Sequence, residues 1–168
     1  MTVASEGGFV MASYSYYAGQ AKLIGAAGVV LRDSAGALLL LKPTYKADWH
    51  LPGGIMGADE SPIDAARREV REEIGLDIEV GRLLSVDYKT ATTDRPAGVQ
   101  FLFDGGILTA AQLGAMRIDA SEIGAFRLVS GPEAVSLVER GGPAARLANT
   151  LAVVDQGVII YLENGRPA

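Results

Sequence analysis

Three glutamates, Glu69, Glu72 and Glu73, stand at i, i+3 and i+4 in a stretch that reads as a helix. That spacing brings their carboxylates along one face, where like charges destabilise a bare helix by roughly a few tenths of a kcal/mol per pair. Arg67, Arg68 and Arg71 offset part of the repulsion. One reading is a solvated, salt-bridged helix face, as most charge runs are. The other is chemical: hard divalent cations such as Mg²⁺ take oxygen ligands, and three carboxylates on one rigid element could hold them. Upstream lie a further acid, Glu60, and the turn signal Pro52-Gly53-Gly54.

The element that must position these acids is bracketed by local cues. Ser61 is a good N-cap, Pro62 sits at the first helical position, and Asp64 falls in the first turn, where negative charge is favoured. Gly75 stands where a left-handed residue ends a helix. These signals predict a helix over 62–74. Ile63, Ala66, Val70 and Ile74 share one side of it and are expected to pack on a core.

Taken together, the run is Gly54, five residues, Glu60, seven residues, Arg68-Glu69-Val70, one residue, Glu72-Glu73, one residue, Gly75-Leu76. It resembles the signature of the Nudix hydrolases, G-x5-E-x7-R-E-U-x-E-E-x-G-U with U aliphatic, and every specified position is filled. The resemblance implies an α/β (α+β) fold, a Nudix-type α/β/α sandwich with a mixed central β-sheet and the motif helix on one face. It also implies hydrolysis of a nucleoside diphosphate linked to another moiety. Water is a poor nucleophile at neutral pH and a diphosphate repels anions, so such chemistry calls for bound Mg²⁺ or Mn²⁺.

Carried over by position, the resemblance makes Glu72, Glu73 and the backbone carbonyl of Gly54 metal ligands. Glu69 is a ligand or the general base, Glu60 a supporting acid, and Arg68 a partner that orients one of the glutamates. In some branches of the family the base belongs to this helix, in others to a later loop. Glu122 is the candidate acid from outside the motif, with Gly124 or Ala125 the alternative matching positions. A catalytically silent Nudix-fold module that binds nucleotide is the competing reading, although such modules usually carry a damaged signature. An isomerase on the same scaffold is set aside, since that chemistry resembles one needing a cysteine.

The remaining chain supplies strands and a few substrate candidates. Residues 22–32 and 37–42 read as a hairpin of buried strands, and 77–88, 98–103, 121–129 and 157–163 as further strands. Asp104-Gly105-Gly106 should break or bulge its strand, and helical pieces are expected after Thr109, over 132–140 and over 143–152. Lys46 could meet a phosphate and Trp49 could cover an apolar part of a substrate, or they are a surface charge and a core plug. Arg95, with Lys89, lies in or beside the polar loop 89–97, where a substrate contact is a further candidate.

Composition bounds the partners. With 168 residues, 49% hydrophobic and 21% charged, the chain suits one domain with a sizeable core. We divide it into an N-terminal extension, 1–20, and a Nudix domain, 21–168. The formal charge of −5 argues against gripping a nucleic-acid polymer but not against a small phosphorylated substrate. No apolar run approaches the length of a membrane span. There is no cysteine, and the single His50 excludes a histidine-rich metal site. A cytoplasmic protein is expected, and a homodimer is among its expected states.

Overall fold

Buried apolar residues fall into two clusters, one on each face of a single sheet, because the side chains of its strands alternate. In β1 (Ile24–Arg32), Val29 and Leu31 join one cluster and Val30 the other. In β2 (Leu38–Pro43), Leu39 and Leu41 face the first cluster and Leu38 and Leu40 the second. The structure, a computed structural model, describes residues 18–168. The three tyrosines at positions 14, 16 and 17, and most of the expected extension, lie outside the described residues.

The other strands are β3 (Gly53–Ile55), β4 (Leu83–Lys89), β5 (Gly98–Ile107), β6 (Ile123–Val129), β7 (Ile160–Glu163) and β8 (Arg166–Pro167). Their order is β6-β2-β1-β5-β4-β7-β8, with β3 paired to β1 off this path. The β1–β5 and β4–β7 pairs are parallel and the rest antiparallel, which makes the sheet mixed. The helices are α1 (Pro62–Ile74), α2 (Ala110–Ala115), α3 (Gly131–Leu137) and α4 (Gly142–Val153). Helix α1 packs on the first cluster, α3 and α4 on the second, giving the expected α/β/α sandwich. No helix among the described residues is long and apolar enough to cross a membrane.

Helix α1 has the predicted bounds. The Ser61 hydroxyl accepts the Asp64 N–H, and Gly75 ends the helix at φ 68°, donating its N–H to Arg71. Ala66, Val70 and Ile74 are fully buried, with Ile63 packed at their edge. Burial of side chains the size of Val70 and Ile74 contributes roughly 1.5–3 kcal/mol each.

Elsewhere the structure differs in detail. The hairpin of β1 and β2 pairs only at its closed end, Arg32 with Leu38, because β2 turns to β6 while β3 takes the place beside β1. Pro52-Gly53-Gly54, read as a turn, feeds that short strand instead. Gly53, at φ 142°, lies so near β1 that a Cβ would stand 2.4 Å from the Gly28 Cα. The strand expected over 77–88 begins at Leu83. Strand β5 continues through Asp104-Gly105-Gly106 to Ile107, with a register irregularity opposite Val30 and Arg32, so the glycines bulge it. Helix α3 ends at Leu137, and the final hairpin strand β8 had no signal beyond Asn164-Gly165.

Candidate active site

Arg68 is the hub of the motif. Its Nε and one terminal nitrogen donate to the two oxygens of Glu60, both at 2.9 Å, a two-pronged pair. The other terminal nitrogen donates to Glu69 and Glu72, each at 2.8 Å, and a fifth bond runs to the Ile55 carbonyl. Glu60 also accepts the Gly57 N–H at 2.9 Å. The Arg68 bonds, then the Gly57 bond, pull the Glu60 carboxyl down to about 2, and Glu60 in turn raises the Arg68 pKa. The loop before α1 is therefore tied to the helix by charge.

Glu69 turns toward β3. A Cβ on Gly54 would stand 2.5 Å from its Oε1, so the glycine is what lets the carboxylate lie there. Burial raises the Glu69 pKa, against the pull of Arg68. Glu73, one turn further along the helix, points inward and is buried. Its Oε2 accepts the Gly53 N–H at 2.8 Å. The His50 imidazole stands near it, with Nε2 at 3.9 Å from Oε1. Burial lowers the pKa of that imidazole, so it is neutral near pH 7, and its Nε2 is buried without a hydrogen-bond partner among the described residues. Burial pushes the Glu73 carboxyl up to about 8, against the Gly53 bond and with added repulsion from Glu69, Glu122 and Glu72.

Beside this acid cluster, on the opposite sheet face from α1, a cleft of about 350 Å³ runs over β1, β5 and β4. It begins at Gly53 and Gly54, and its floor is Ala26 and Gly28 of β1 with Gln100 and Leu102 of β5. Trp49, Val138 and Leu147 form its apolar sides, and Lys46 and Tyr45 its rim. Arg127 lies 5.7 Å from the Trp49 ring centroid on a cation–π contact. Lys89 and Arg146 stand at the far end.

The family model described as NUDIX domain matches residues 22–146, well over half of the chain. The chain belongs to the NUDIX family. A MutT-like protein of Streptomyces ambofaciens is 42% identical over 69 residues, covering 41% of this chain and 44% of that one. The human 8-oxo-dGDP phosphatase NUDT18 is 38% identical over 90 residues, covering 50% and 26%. The chain thus spans less than half the length of these curated relatives. The crystal structure of a UDP-X diphosphatase superposes with a TM-score of 0.67 at 19% identity, over 95% of this chain and 76% of that one, which shows a shared fold.

In this NUDIX chain the predicted site residues separate into two groups. Gly54, Glu60, Arg68, Glu69, Glu72 and Glu73 gather between β3 and α1. They are not the three-way carboxylate cluster that spacing predicted. Arg68 stands between Glu69 and Glu72, Glu73 turns to β3, and no three acid or histidine side chains among the described residues are grouped as a metal-binding set. The donor chemistry nevertheless fits a divalent cation: four acids with hard oxygens influence one another, and among the described residues no lysine or arginine pairs with the buried Glu73. The charge of exposed Glu122 also raises the Glu69 and Glu73 pKa, behind the larger effect of burial.

Lys46 and Trp49 line the cleft, whereas Arg95 is exposed and outside its lining. Sequence reasoning missed Gln100, Arg146 and Leu147. Their positions depend on which strands are neighbours and on where α4 crosses the sheet, and no local motif records either. Period-two alternation in β4 could have placed Lys89 with Asp87 on one face.

Proposed function

We propose that this NUDIX chain is a divalent-cation-dependent pyrophosphohydrolase, cleaving a nucleoside diphosphate linked to another moiety with water as nucleophile. The observation that carries the reading is the gathering of Gly54, Glu60, Arg68, Glu69, Glu72 and the buried Glu73 between β3 and α1, held by the hydrogen bonds of Arg68 and of the Gly53 N–H. In this reading Glu69, Glu72, Glu73 and the Gly54 carbonyl hold Mg²⁺ or Mn²⁺. Such a cation, when bound, supplies charge neutralisation at the phosphoryl oxygens and a lower pKa for water.

The chain's own residues do the rest. Glu69, raised by burial, is suited to take a proton from water. Arg68 fixes the rotamers of Glu69 and Glu72 and locks Glu60 and its loop on α1, so the acids are oriented before substrate arrives. Trp49 and Lys46 give the cleft an apolar wall and a charged rim for a small phosphorylated substrate. Glu122 serves as the further acid from β6's approach loop, and Arg95 contributes charge from the loop after β4.

The test is incubation with a panel of dinucleotides, nucleotide sugars and nucleoside triphosphates, with Mg²⁺ or Mn²⁺, and identification of both products. Cleavage of a phosphoric anhydride into two phosphate-bearing products is expected. Binding without any product would instead make the chain a silent nucleotide-binding module.

A further inference from the structure

The far end of the cleft carries cations that the hydrolytic site does not use. Strand β4 directs Ser85, Asp87 and Lys89 to one face, as period two requires. Ser85 is bonded to Thr150 and Asp87 to Arg146, both at 2.8 Å and both on α4, so that face is the one beneath α4. Lys89 ends the row, half-buried, lines the cleft, and has no ion-pair or hydrogen-bond partner among the described residues.

Arg146 is held differently. One nitrogen donates to Asp87 Oδ2, while Asp87 Oδ1 takes the Gly165 N–H at 2.8 Å, so the carboxylate is occupied on both oxygens. The guanidinium makes no second side-chain bond among the described residues, and it too lines the cleft. Arg95 adds positive charge nearby, and Asp87 and Glu139 negative charge. Lys89 and Arg146 thus put two cations on the lining of this end, with Arg95 outside it, whereas the Gly53–Gly54 end lies beside the acid cluster. The cost of the arrangement appears at Lys89: burial first, then Arg146 and Arg95, lower its pKa to about 8. A half-buried ammonium beside two guanidinium groups is an unfavourable arrangement that an oxyanion would relieve.

The separation sets the shape of the ligand. Strands β3, β1, β5 and β4 are successive neighbours. Three inter-strand steps place Lys89 about 14 Å across the sheet from β3, and its register with Ile24, three residues before the Ala27 that faces Gly54, adds about 10 Å along the strands. A diphosphate followed by a sugar ring, met by the long lysine stem, covers that separation. We infer that the cleft selects substrates whose moiety beyond the scissile diphosphate carries a second oxyanion, a carboxylate or a phosphate monoester, held by Lys89 and the free edge of Arg146. The inference rests on the pyrophosphohydrolase reading for which bond is broken, but not for the charge selection itself.

The experiment uses pairs of ligands that share a diphosphate and differ in the distal anion. UDP-glucuronate against UDP-glucose probes a carboxylate, and NADP⁺ against NAD⁺ a phosphate monoester. The chain's single tryptophan, Trp49, lines the cleft, so its fluorescence reports binding in metal-free buffer as well as with Mg²⁺. The anionic member of at least one pair should bind on the order of 10–100-fold tighter, as charge-assisted hydrogen bonds allow. Which pair responds identifies the anion. Lys89→Met should bring the two affinities of that pair together, and Lys89→Arg should keep them apart. Equal affinity within both pairs, or no binding of any, overturns the inference. Charge-dependent binding with no product from any ligand supports the inference and sinks the hydrolase reading alone.

Discussion

The Glu73 carboxylate accepts the main-chain N–H of Gly53 at 2.8 Å, joining the end of α1 to the start of β3 across the motif. Glu73 is thereby both a fastener of the site and its most buried acid. Glu73→Gln keeps an oxygen for the Gly53 bond and removes the charge. With Mg²⁺ present, kcat should fall by about 10²–10⁴ while KM changes little, because the lost interaction acts mainly in the transition state. Near wild-type turnover in steady-state assays would remove this residue from the mechanism.

The same carboxyl makes the metal-free protein sensitive to pH. Its pKa rises from 4.5 to about 8 on folding, so between those values the native state holds a proton that the unfolded state has released. Stability is full below pH 4.5 and is lost as pH climbs through about 8, at up to about 1.4 kcal/mol per unit of pKa difference. Glu73→Gln lacks this loss. Urea unfolding in EDTA should therefore show the variant gaining on the wild type from pH 5 to pH 9. A constant gap would mean that the carboxyl is not desolvated.

Gly53 and Gly54 are adjacent yet should fail in different ways. A methyl on Gly53 meets the Ala27 carbonyl at 2.3 Å and the Gly28 Cα at 2.4 Å, and the φ of 142° is itself strained for any other residue. Backbone cannot swing aside, so Gly53→Ala should cost several kcal/mol, roughly 3 or more, or prevent folding. The three atoms nearest a methyl on Gly54 all belong to the Glu69 carboxylate. Gly54→Ala should fold within about 1–2 kcal/mol of wild type and lose turnover by displacing Glu69. Circular dichroism melts beside an activity assay separate the two, and equal melts would contradict the geometry.

Arg68 holds three carboxylates, and its fork is what lets it do so. Arg68→Met should raise the Glu60 pKa toward its ordinary value, because the two-pronged pair that lowers it is lost. Arg68→Lys should recover little of the Glu60 restraint, since an ammonium cannot make the two-pronged pair. Carboxyl NMR titration of Glu60 reads this directly. Full restoration by lysine would show that charge alone suffices.

Much of the acid site was legible because its information is local. Ser61, Pro62 and Gly75 mark the helix, and helical periodicity separates Glu73 from Val70 and Ile74 only in chemistry, not in exposure. What spacing could not show is that Arg68 would lie between Glu69 and Glu72, or that Glu73 would turn inward to a glycine amide. Those outcomes depend on β3 docking against β1, a contact set by two glycines distant in sequence. The cleft was less legible still. Lys89, Gln100 and Arg146 meet only because β5 lies between β1 and β4 and α4 returns across them. Arg95, attractive as a charged loop residue, is exposed and does not line that cleft.

The close contact of Gly53 with Gly28 has an evolutionary consequence. There the molecule offers a ligand bare peptide, with no side chain to exchange, so point changes have little to work on beside the acids. Lys89 and Trp49 stand on separate segments that can vary without touching that junction. New substrate preferences can therefore arise at one end of the groove while the bond-breaking end is inherited intact.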